Sequence, residues 1–414
     1  MPDHHFYDAL ETRAPAAREA ALLAALPAQV ANAKSNAPGF ARILRDIEPA
    51  AVSSRAALAQ LPVTRKADLK ALQAGMKPFG GLTTVAPGQL GKIFMSPGPI
   101  YDPEARRADY WRSARALFAA GLRAGDILHN TFSYHLTPAG SMLEAGALKL
   151  GCAVIPAGTG NTEQQIEAIS DLQPTAYVGT AAFLRILVEK FIEAGLPFPI
   201  KRAVTGGDAL PPALRAWLKD KGMESVLQFY GTADLGNIAY ESTAQEGMIL
   251  DEDVILEIVR PGTGDPVGEG EVGEVIITTL NPEYPLIRFA TGDLSAVLPG
   301  VSPCGRTNTR IKGWMGRADQ TTKVKGMFVQ PGQVDAIAKR HPEILKARLV
   351  VEGEMANDRM TLKVEVRNLA TPDLAEKIAA TLRDITKLRG EVQFMKLGDL
   401  ANDGKVIEDA RKYD

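Results

Sequence analysis

The chain has 414 residues, of which 47 are Lys or Arg and 49 are Asp or Glu, so its formal net charge is −2. This balance gives no electrostatic reason to expect a nucleic acid or an anionic membrane surface as a partner. The hydrophobic share of 45% is ordinary for a globular protein, and at ~100–200 residues per domain the length allows several buried cores.

No apolar run reaches the ~18–20 residues that span a bilayer, and the first residues lack the basic and apolar regions of a signal peptide. The two cysteines, Cys152 and Cys304, have no histidines at zinc-ligand spacing. We therefore expect a cytoplasmic protein with two reduced, structural cysteines.

The first 230 residues are rich in predicted helices, which alternate with short β-branched strands from residue 105 to residue 230. An alanine-rich helix at 13–34, interrupted near Pro27, comes first, and Thr64 is expected to cap a short helix. A strand at 92–95 then leads through a turn with Gly98 to a helix at 105–121. Further helices are predicted at 139–150, 163–172, 181–195 and 211–222, and strands at 152–156, 176–179, 203–205 and 226–229. This alternation predicts βαβ units and a largely parallel sheet.

The character of the chain changes after residue 250. Strands with Gly and Pro turns are predicted at 253–259, 274–279, 286–290 and 293–298, and then a compact run of strands and helices continues to the end. We predict an α/β fold with a large N-terminal domain, residues 1–316, of mixed or parallel sheets flanked by helices. Its β-subdomain covers 250–316, and a small mobile α+β domain covers 317–414.

The segment PAGTGNTEQQIEAI leaves a predicted strand through a glycine turn into a helix. Thr162 with Gln165 three residues later suggests a capping box. The helix N-terminus could face an anion, and an ordinary strand–turn–helix joint explains the pattern equally well.

Two further segments follow strands at the edge where open α/β sheets bind ligands. In TGGDALPPALR, Gly206 and Gly207 allow a flat ring to approach the backbone. In QFYGTADLG, Tyr230 can stack on such a ring, Thr232 offers a hydroxyl, and Asp234 offers an oxygen ligand for Mg²⁺. Two tight turns with a solvated aspartate are the alternative.

Two more segments carry candidate polar groups. In RFATGDLS, the carboxylate of Asp293 can accept hydrogen bonds from two vicinal hydroxyls, as on a ribose. In NDGKVIEDAR, Lys405 could be moved towards developing negative charge by a mobile domain. A turn aspartate and a solvated lysine are the alternatives.

Taken in chain order, several segments resemble those of the phenylacetate–CoA ligase family of adenylate-forming enzymes, from about Leu61 to the end of the chain. They are LPVTRKADL, LGCAVIPAGTGNTEQQIEAI, YVGTAAFL, TGGDALPPALR, YGTADLG, PLIRFATGDL, GRADQTTKVKG and DGKVIEDAR. The resemblance implies an enzyme that uses ATP, with Mg²⁺, to convert a carboxylic acid into an acyl-adenylate and then transfers the acyl group to CoA. It also suggests a homodimer.

The resemblance implies a role for each matching residue. Nucleotide binding would fall to Gly206, Gly207, Asp208, Tyr230, Gly231, Asp293 and Arg317, and catalysis to Thr232, Asp234 and Lys405. Asp319 would be the domain hinge, and Gly326 would line the CoA tunnel. The acyl pocket would contain Tyr134, His135, Thr180 and Phe183, which suits an aromatic acid.

The chain departs from the family pattern at two places. Asp234 stands where the family has glutamate, so a Mg²⁺ ion would have to shift or bind through water. The stretch FMSPGPIYDPEA stands where the family has a phosphate-binding loop, yet Pro97 and Pro99 lack N–H donors and Asp102 and Glu104 would repel a triphosphate. A non-catalytic sensing protein and an adenylating enzyme with an acceptor other than CoA therefore stay open as alternatives.

Overall fold

The computed structural model describes residues 5–260, 264–318, 320, 322–324, 327–329, 331–353, 358–367, 371–400 and 405–411. The chain divides into two compact units, Met1–Trp314 and Met315–Asp414. The sequence placed the domain boundary between residues 316 and 317. None of the described helices is long and apolar enough to cross a membrane.

The helices of the first unit precede or alternate with its strands. They are α1 (Pro15–Asn36), α2 (Pro38–Ile43), α3 (Arg55–Ala59), α4 (Leu69–Gly75), α5 (Ala114–Ala119), α6 (Ala139–Leu150), α7 (Thr162–Leu172), α8 (Ala181–Glu193) and α9 (Pro212–Asp220). Short 3₁₀ turns lie at Ala9–Thr12, Pro49–Ala51, Lys66–Asp68 and Pro87–Gln89.

The strands of the first unit form three sheets. They are β1 (Thr64–Arg65), β2 (Lys92–Ser96), β3 (Ile100–Glu104), β4 (Ile127–Asn130), β5 (Ala153–Ile155), β6 (Ala176–Gly179), β7 (Arg202–Thr205), β8 (Ser225–Thr232), β9 (Gly236–Glu241), β10 (Met248–Leu250), β11 (Val254–Val259), β12 (Gly273–Thr279), β13 (Phe289–Ser295), β14 (Val297–Leu298) and β15 (Arg310–Ile311).

The largest sheet has nine strands in the order β14-β15-β10-β9-β8-β7-β6-β4-β5. The strands from β8 to β5 in this order run parallel, and β9, β10, β15 and β14 pair antiparallel. A second sheet has the order β1-β13-β12-β11, and β2 with β3 forms a separate hairpin. The predicted α/β fold, with mixed sheets flanked by helices and a β-subdomain, is confirmed.

Both faces of the parallel strands are buried, as a sheet covered by helices requires. Val178, Val204 and Leu227 face a core shared with α5 and α6. The residues one step earlier, Tyr177, Ala203 and Val226, face a core shared with α7, α8 and α9. The alternation follows from the two-residue period of a strand, and it explains why these strands read as continuous apolar runs.

Within its described ranges, the second unit contains two helices and two small sheets. Its elements are β16 (Thr322–Val324), β17 (Met327–Val329), α10 (Pro331–Arg340), β18 (Ile344–Glu352), β19 (Arg359–Val366), α11 (Pro372–Thr386), β20 (Glu391–Met395) and β21 (Ile407–Asp409). Strands β20-β19-β18-β21 form one sheet and β16-β17 the other. This confirms the predicted α+β composition.

Two predictions about helices were wrong. The helix at 13–34 is not interrupted at Pro27, because α1 continues through it with Leu26, Val30 and Ala33 fully buried. This packing outweighs the hydrogen bond that proline removes.

The predicted helix at 105–121 is reduced to α5. Asp109 and Arg112 have positive φ angles of 49° and 61°, which no helix tolerates. The Asp109 carboxylate accepts hydrogen bonds from the backbone N–H groups of Ser113 and Ala114, at 2.7 and 3.1 Å. Tyr110 and Trp111, which belong to this turn, are buried in the core at 2% and 1% exposure. Their burial holds the turn in place, so the helix begins only at Ala114, the first residue of α5.

Candidate active site

Four parallel strands end at one edge of the large sheet, and predicted site residues follow each of them. β4, β6, β7 and β8 are paired in parallel. Loop 131–138 follows β4, Thr180 follows β6, Gly206 follows β7, and Tyr230 lies near the end of β8. Open α/β sheets bind ligands at this edge, so the fold brings these predicted residues to one region.

Asp208 fixes the loop after β7 to the start of α8. Its two carboxylate oxygens accept hydrogen bonds from the N–H groups of Ala181 and Ala182, at 2.9 and 3.0 Å. A carboxylate at a helix N-terminus is favoured by the exposed N–H groups and the helix dipole. The loop is therefore held rigidly beside the predicted adenine site, and the predicted contact of Asp208 with the base stays a prediction.

The two glycines of this loop meet different surroundings. A Cβ atom on Gly206 would lie 2.4 Å from the Phe229 ring, so the ring that approaches this backbone is the protein's own. Phe229 in turn packs edge-on against Phe132, with ring centroids 5.9 Å apart. Gly207 has a φ of +77°, and its nearest neighbour to an added Cβ is Phe132 at 3.9 Å. Gly207 thus offers the open backbone surface that a ligand could approach.

Gly179 ends β6 against two buried hydroxyl groups. A Cβ atom there would lie 1.9 Å from Thr131 Oγ1 and 2.2 Å from the Tyr177 hydroxyl oxygen. Thr131 donates to Tyr177 at 2.8 Å, and Tyr177 donates to the Thr180 carbonyl oxygen at 3.0 Å. Only glycine allows this close connection between the ends of β4 and β6.

The predicted acyl-pocket residues lie in the loops after β4 and β6. Tyr134 is half-buried and its hydroxyl accepts a hydrogen bond from Asn130 Nδ2 at 2.8 Å. Burial raises the pKa of the Tyr134 phenol, so it stays neutral. Thr180 caps α8 by accepting from the Phe183 N–H at 3.2 Å, and Phe183 is half-buried. His135 is exposed.

Asp293 joins the two large sheets. Its Oδ2 accepts a hydrogen bond from the Tyr230 hydroxyl at 2.9 Å, and its Oδ1 accepts one from Trp314 Nε1 at 3.1 Å. The residue is only 8% exposed, whereas Trp314 is 46% exposed. The two hydrogen bonds fix the orientation of the Asp293 carboxylate.

Asp234 lies beside this pair and binds a lysine. Its Oδ2 is 2.6 Å from the Nζ of Lys66, and its side chain is fully buried while that of Lys66 is 29% exposed. Burial lowers the pKa of Lys66, but the carboxylates of Asp234, Asp102 and Asp293 outweigh burial and raise it. Lys66 is therefore a fixed positive charge at this edge.

Thr232 and Gly231 shape the turn that leads from β8 to β9. Thr232 Oγ1 accepts a hydrogen bond from the Leu235 N–H at 3.1 Å. A Cβ on Gly231 would lie 2.6 Å from the Gly236 carbonyl oxygen. The turn is tight, and the Thr232 hydroxyl can still donate to a ligand oxygen.

The stretch FMSPGPIYDPEA is a β-hairpin and not the predicted strand–turn–helix. β2 and β3 pair antiparallel from Lys92 with Glu104 to Ser96 with Ile100. The exposed tip is Pro97–Gly98–Pro99, and two of its three residues have no N–H group to donate.

The two acids of the hairpin point inwards. Asp102 is fully buried and Glu104 is 8% exposed. Glu104 Oε2 accepts hydrogen bonds from Trp111 Nε1 and Ser141 Oγ, both at 2.6 Å. Glu104 is therefore a structural anchor of the hairpin, and its predicted repulsion of a triphosphate stays a prediction.

The predicted capping box at Thr162 was also wrong. The residue before α7 is Asn161 in a left-handed conformation, and Gln165 turns away from the helix end. Its Nε2 donates to the Gly158 and Gly160 carbonyl oxygens at 3.0 and 2.7 Å. Its Oε1 lies 2.8 Å from His129 Nε2, which must therefore carry the proton.

The second unit holds the predicted residues of the C-terminal domain. Lys405 is exposed, and its carbonyl oxygen accepts a hydrogen bond from Arg348 Nε at 3.1 Å. Gln320 Oε1 accepts from the N–H groups of Val406 and Ile407 at 2.5 and 3.1 Å. Arg317 is half-buried. Asp319 and Gly326 lie outside the described residues.

The residues around Asp234 do not fit the predicted magnesium ion. Over the described ranges, no three His, Cys, Asp or Glu residues are grouped to hold a metal. Mg²⁺ bonds carboxylate oxygens at ~2.1 Å, and the ammonium of Lys66 already holds Asp234 Oδ2 at 2.6 Å. Two cations cannot share that oxygen without strong repulsion.

Sequence reasoning missed Lys66, Asp102, Trp314 and Gln320 as parts of these sites. Lys66 stands inside LPVTRKADL and Trp314 lies two residues before GRADQTTKVKG, but no periodicity marks either side chain. Asp102 was interpreted as an acid that would repel a triphosphate. The signal that could have found it is the alternation Ile100, Asp102, Glu104, which puts both acids on the buried face of a strand.

Comparisons with known proteins agree along most of the chain. A family model described as AMP-binding enzyme matches residues 108–281. A phenylacetate-coenzyme A ligase of Thermus thermophilus is 32% identical over 358 residues, covering 81% of this chain and 79% of that protein. The phenylacetate-coenzyme A ligase of Escherichia coli is 30% identical over 328 residues, covering 75% of this chain and 73% of that protein.

Solved structures share the fold over the whole chain. 2-Hydroxyisobutyryl-CoA ligase in complex with 2-HIB-AMP and CoA, in the thioesterification state, matches with a TM-score of 0.77 at 23% identity, covering 100% of this chain and 94% of that one. An open conformation of the same ligase matches with a TM-score of 0.74 at 23% identity, covering 99% of this chain and 95% of that one.

Proposed function

The chain belongs to the phenylacetate–coenzyme A ligase family of adenylate-forming enzymes, and from that premise we propose that it joins an aromatic carboxylic acid to CoA in two steps. In the first, a carboxylate oxygen attacks the α-phosphorus of ATP and pyrophosphate leaves. In the second, the CoA sulfur attacks the carbonyl carbon of the acyl-adenylate and AMP leaves, while the thiol proton passes to solvent. Adenylation is needed because an oxide is a very poor leaving group and AMP is a good one.

The arrangement around Asp293 is the observation that carries this proposal. Tyr230 and Trp314 each donate a hydrogen bond to one of its oxygens, which fixes the orientation of this largely buried carboxylate. The two vicinal hydroxyls of a ribose would hydrogen-bond to the carboxylate, as the family resemblance implies. A nucleotide held in this way would lie along the edge that carries Gly207 and Thr232.

The remaining roles are those that the family resemblance implies. Thr232 would contact the α-phosphate, and Lys405 would stabilise the negative charge that develops on the carboxylate and the α-phosphate. Arg317 would assist at the ribose, Asp319 would be the hinge, and Gly326 would line the passage for CoA.

An aromatic acid suits the half-buried rings of Tyr134 and Phe183 in the predicted acyl pocket. The neutral Tyr134 hydroxyl, held by Asn130, would add a directed polar group to an otherwise apolar wall. We also propose a homodimer, for which the mass of the native protein by light scattering is the test.

Asp234 is paired with Lys66, so this carboxylate would not hold a Mg²⁺ ion in the proposed reaction. When Mg²⁺ binds a nucleotide, it neutralises phosphate charge and helps pyrophosphate to leave.

Product analysis tests the ligase proposal. The full-length chain is incubated with ATP, CoA and one of a panel of aromatic and aliphatic acids, and the products are identified by mass spectrometry. We expect an aryl-CoA thioester with one AMP and one pyrophosphate per thioester. Consumption of ATP without a thioester for every acid would contradict CoA as the acceptor.

The hairpin supports a second candidate function, that of a protein that binds a nucleotide or an acyl-CoA without turnover. Its tip, Pro97–Gly98–Pro99, has almost no N–H groups for a β- or γ-phosphate. This candidate predicts nucleotide binding with no AMP formation under any combination of acid and CoA.

A further inference from the structure

Two buried carboxyl groups share one positive charge near the predicted polyphosphate end of the site. Asp234 comes from the turn after β8 and Asp102 from β3, and the two carboxyl groups face each other. Lys66, from the 3₁₀ turn after β1, brings its ammonium to 2.6 Å from Asp234 Oδ2. Three separate parts of the chain therefore converge on one point.

Several polar atoms of this cluster lack hydrogen-bond partners. Both carboxyl oxygens of Asp102 and the Oδ1 of Asp234 are buried without a donor in good geometry; the Ser96 hydroxyl lies close enough to lower the pKa of Asp102 but donates to the Ile100 carbonyl oxygen at 3.3 Å. Asp102 is fully buried and Asp234 is 3% exposed. Burying such groups unpaired costs several kcal/mol, so the site is built to hold a cation or a proton between them.

Lys66 supplies positive charge to this cluster, and the other groups described around it are acidic or neutral. Burial and the charge of Asp234 raise the pKa of Asp102 to about 8. The Tyr284 hydroxyl also lies buried near both acids, and burial keeps it neutral by raising its pKa. Asp293 adds a further negative charge that acts on Lys66.

We propose that the ammonium group of Lys66 is the resident cation of the Asp102–Asp234 pair and occupies the place that a divalent metal ion would take on this carboxylate. The proposal concerns the site of the proposed ligase, yet it stands on the buried pair and not on turnover. In this arrangement the protein supplies a tethered positive charge, and a divalent ion reaches the site only as part of a nucleotide complex.

The pairing explains two departures from the family pattern together. The shorter aspartate at position 234 is long enough for a lysine ammonium, which contacts a carboxylate oxygen at 2.6 Å. The hairpin that replaces a phosphate loop contributes Asp102, which gives the ammonium a second carboxyl group. Both departures therefore serve the same charge cluster.

Binding of Mn²⁺, a paramagnetic substitute for Mg²⁺, tests the proposal without ATP, acid or CoA. Free Mn²⁺ is followed by electron paramagnetic resonance during titration into the full-length chain. We expect no stoichiometric Mn²⁺ on the wild-type protein. The Lys66→Met variant leaves two buried carboxyl groups without a cation, and we expect it to bind one Mn²⁺ per chain at least tenfold more tightly.

Three controls make the result specific. Lys70→Met removes an exposed lysine four residues further on and is expected to behave as the wild type. Adding Asp234→Asn to Lys66→Met should abolish the new site, as should adding Asp102→Asn. Circular dichroism confirms that each variant is folded.

The proposal is overturned if the wild-type chain binds one Mn²⁺ that Asp234→Asn removes, because the carboxylate would then be open to a metal. This comparison of the wild-type chain with Asp234→Asn needs no Lys66 variant, so it decides the question even if Lys66→Met does not fold. A folded Lys66→Met variant that binds no Mn²⁺ would overturn the proposal as well. Because no substrate is present, neither result depends on whether the ligase proposal holds.

Discussion

Trp314 donates a hydrogen bond to Asp293, which makes its indole a reporter of the proposed nucleotide site. Its indole is 46% exposed, so a ribose arriving at Asp293 would change its surroundings. We expect AMP to shift the tryptophan emission of the wild-type chain. The Trp314→Phe variant should lose that shift while still binding AMP by calorimetry.

The chain has three tryptophans, and Trp111 is buried next to the hairpin at 1% exposure. Trp111→Phe is the matched control and should retain the shift caused by AMP. An unchanged shift in Trp314→Phe would place the nucleotide elsewhere.

Asp251 gives the first unit a pH-dependent stability. Burial raises its pKa to about 7, against the opposing charges of Arg112 and Arg115, whereas an unfolded aspartate titrates at ~3.9. Between these two values the folded state holds a proton that the unfolded state has lost. The contribution of Asp251 to the free energy of unfolding therefore falls as pH rises from about 4 to about 7, by at most ~1.4 kcal/mol per pH unit.

We expect Asp251→Asn to reduce this loss. The free energy of unfolding in urea, measured at pH 5, 6 and 7, should decline less steeply with pH in the variant than in the wild type. Equal slopes in the two proteins would show that Asp251 is not protonated in the folded state over this range.

At the residue scale, sequence reasoning identified residues whose side-chain chemistry and position in a turn already suggest a role. Asp293 and Tyr230 were named in this way, and the structure brings them into contact. It missed the roles of Lys66 and Asp102 in the charge cluster, because these roles depend on a contact between segments far apart in the chain. A charge beside a turn is ordinarily solvated, and the three-dimensional fold shows that Asp102 is buried and that Lys66 is paired with Asp234.

Among the elements, the joint between β4 and β6 depends on a single glycine. A methyl group at Gly179 would overlap Thr131 Oγ1 and the Tyr177 hydroxyl. We expect Gly179→Ala to lower the free energy of unfolding by about 1–3 kcal/mol, measured in urea. Gly195, in the open loop after α8, has no atom within 4 Å of an added Cβ but a φ of +68°, so Gly195→Ala reports backbone strain without overlap.

A loss in Gly179→Ala no larger than in Gly195→Ala would show that the hydroxyl pair can move aside. In that case the end of β6 would not hold Thr180 rigidly, and the acyl pocket would be less ordered than we infer.

At this scale, the regular elements could be predicted and the irregular ones could not. Strands β6 and β7 and helix α6 follow from apolar period and length. The β2–β3 hairpin could not be predicted in this way, because two prolines in a short segment obscure the residue pattern of paired strands. The helix at 105–121 was overestimated because the burial of Tyr110 and Trp111 outweighed local helix preference.

For the whole molecule, the division into two units separates the groups of the proposed active site. Asp293, Tyr230 and Thr232 belong to the first unit and Lys405 to the second. The composition of both units could be predicted from the sequence, whereas the way in which Gln320 holds the backbone next to Lys405 could not. That contact links two segments of the second unit that are far apart in the chain.

Lys405 is the residue through which the second unit would act on adenylation. We expect Lys405→Ala to reduce acyl-adenylate formation by ~10²–10³-fold, the usual effect of removing a charge that stabilises a transition state, with AMP affinity unchanged. Quenched-flow measurement of acyl-AMP gives the rate. Lys396→Ala, which removes an exposed lysine of the same unit, is the control and should leave the rate unchanged.

The central claim is that this chain activates a carboxylic acid as its adenylate, despite the hairpin that stands in place of a phosphate loop. Exchange of labelled pyrophosphate into ATP, measured with and without an aromatic acid and in the absence of CoA, tests it most directly. We predict exchange that requires the acid. Absence of exchange for every acid, from a folded chain that binds AMP, would contradict the claim.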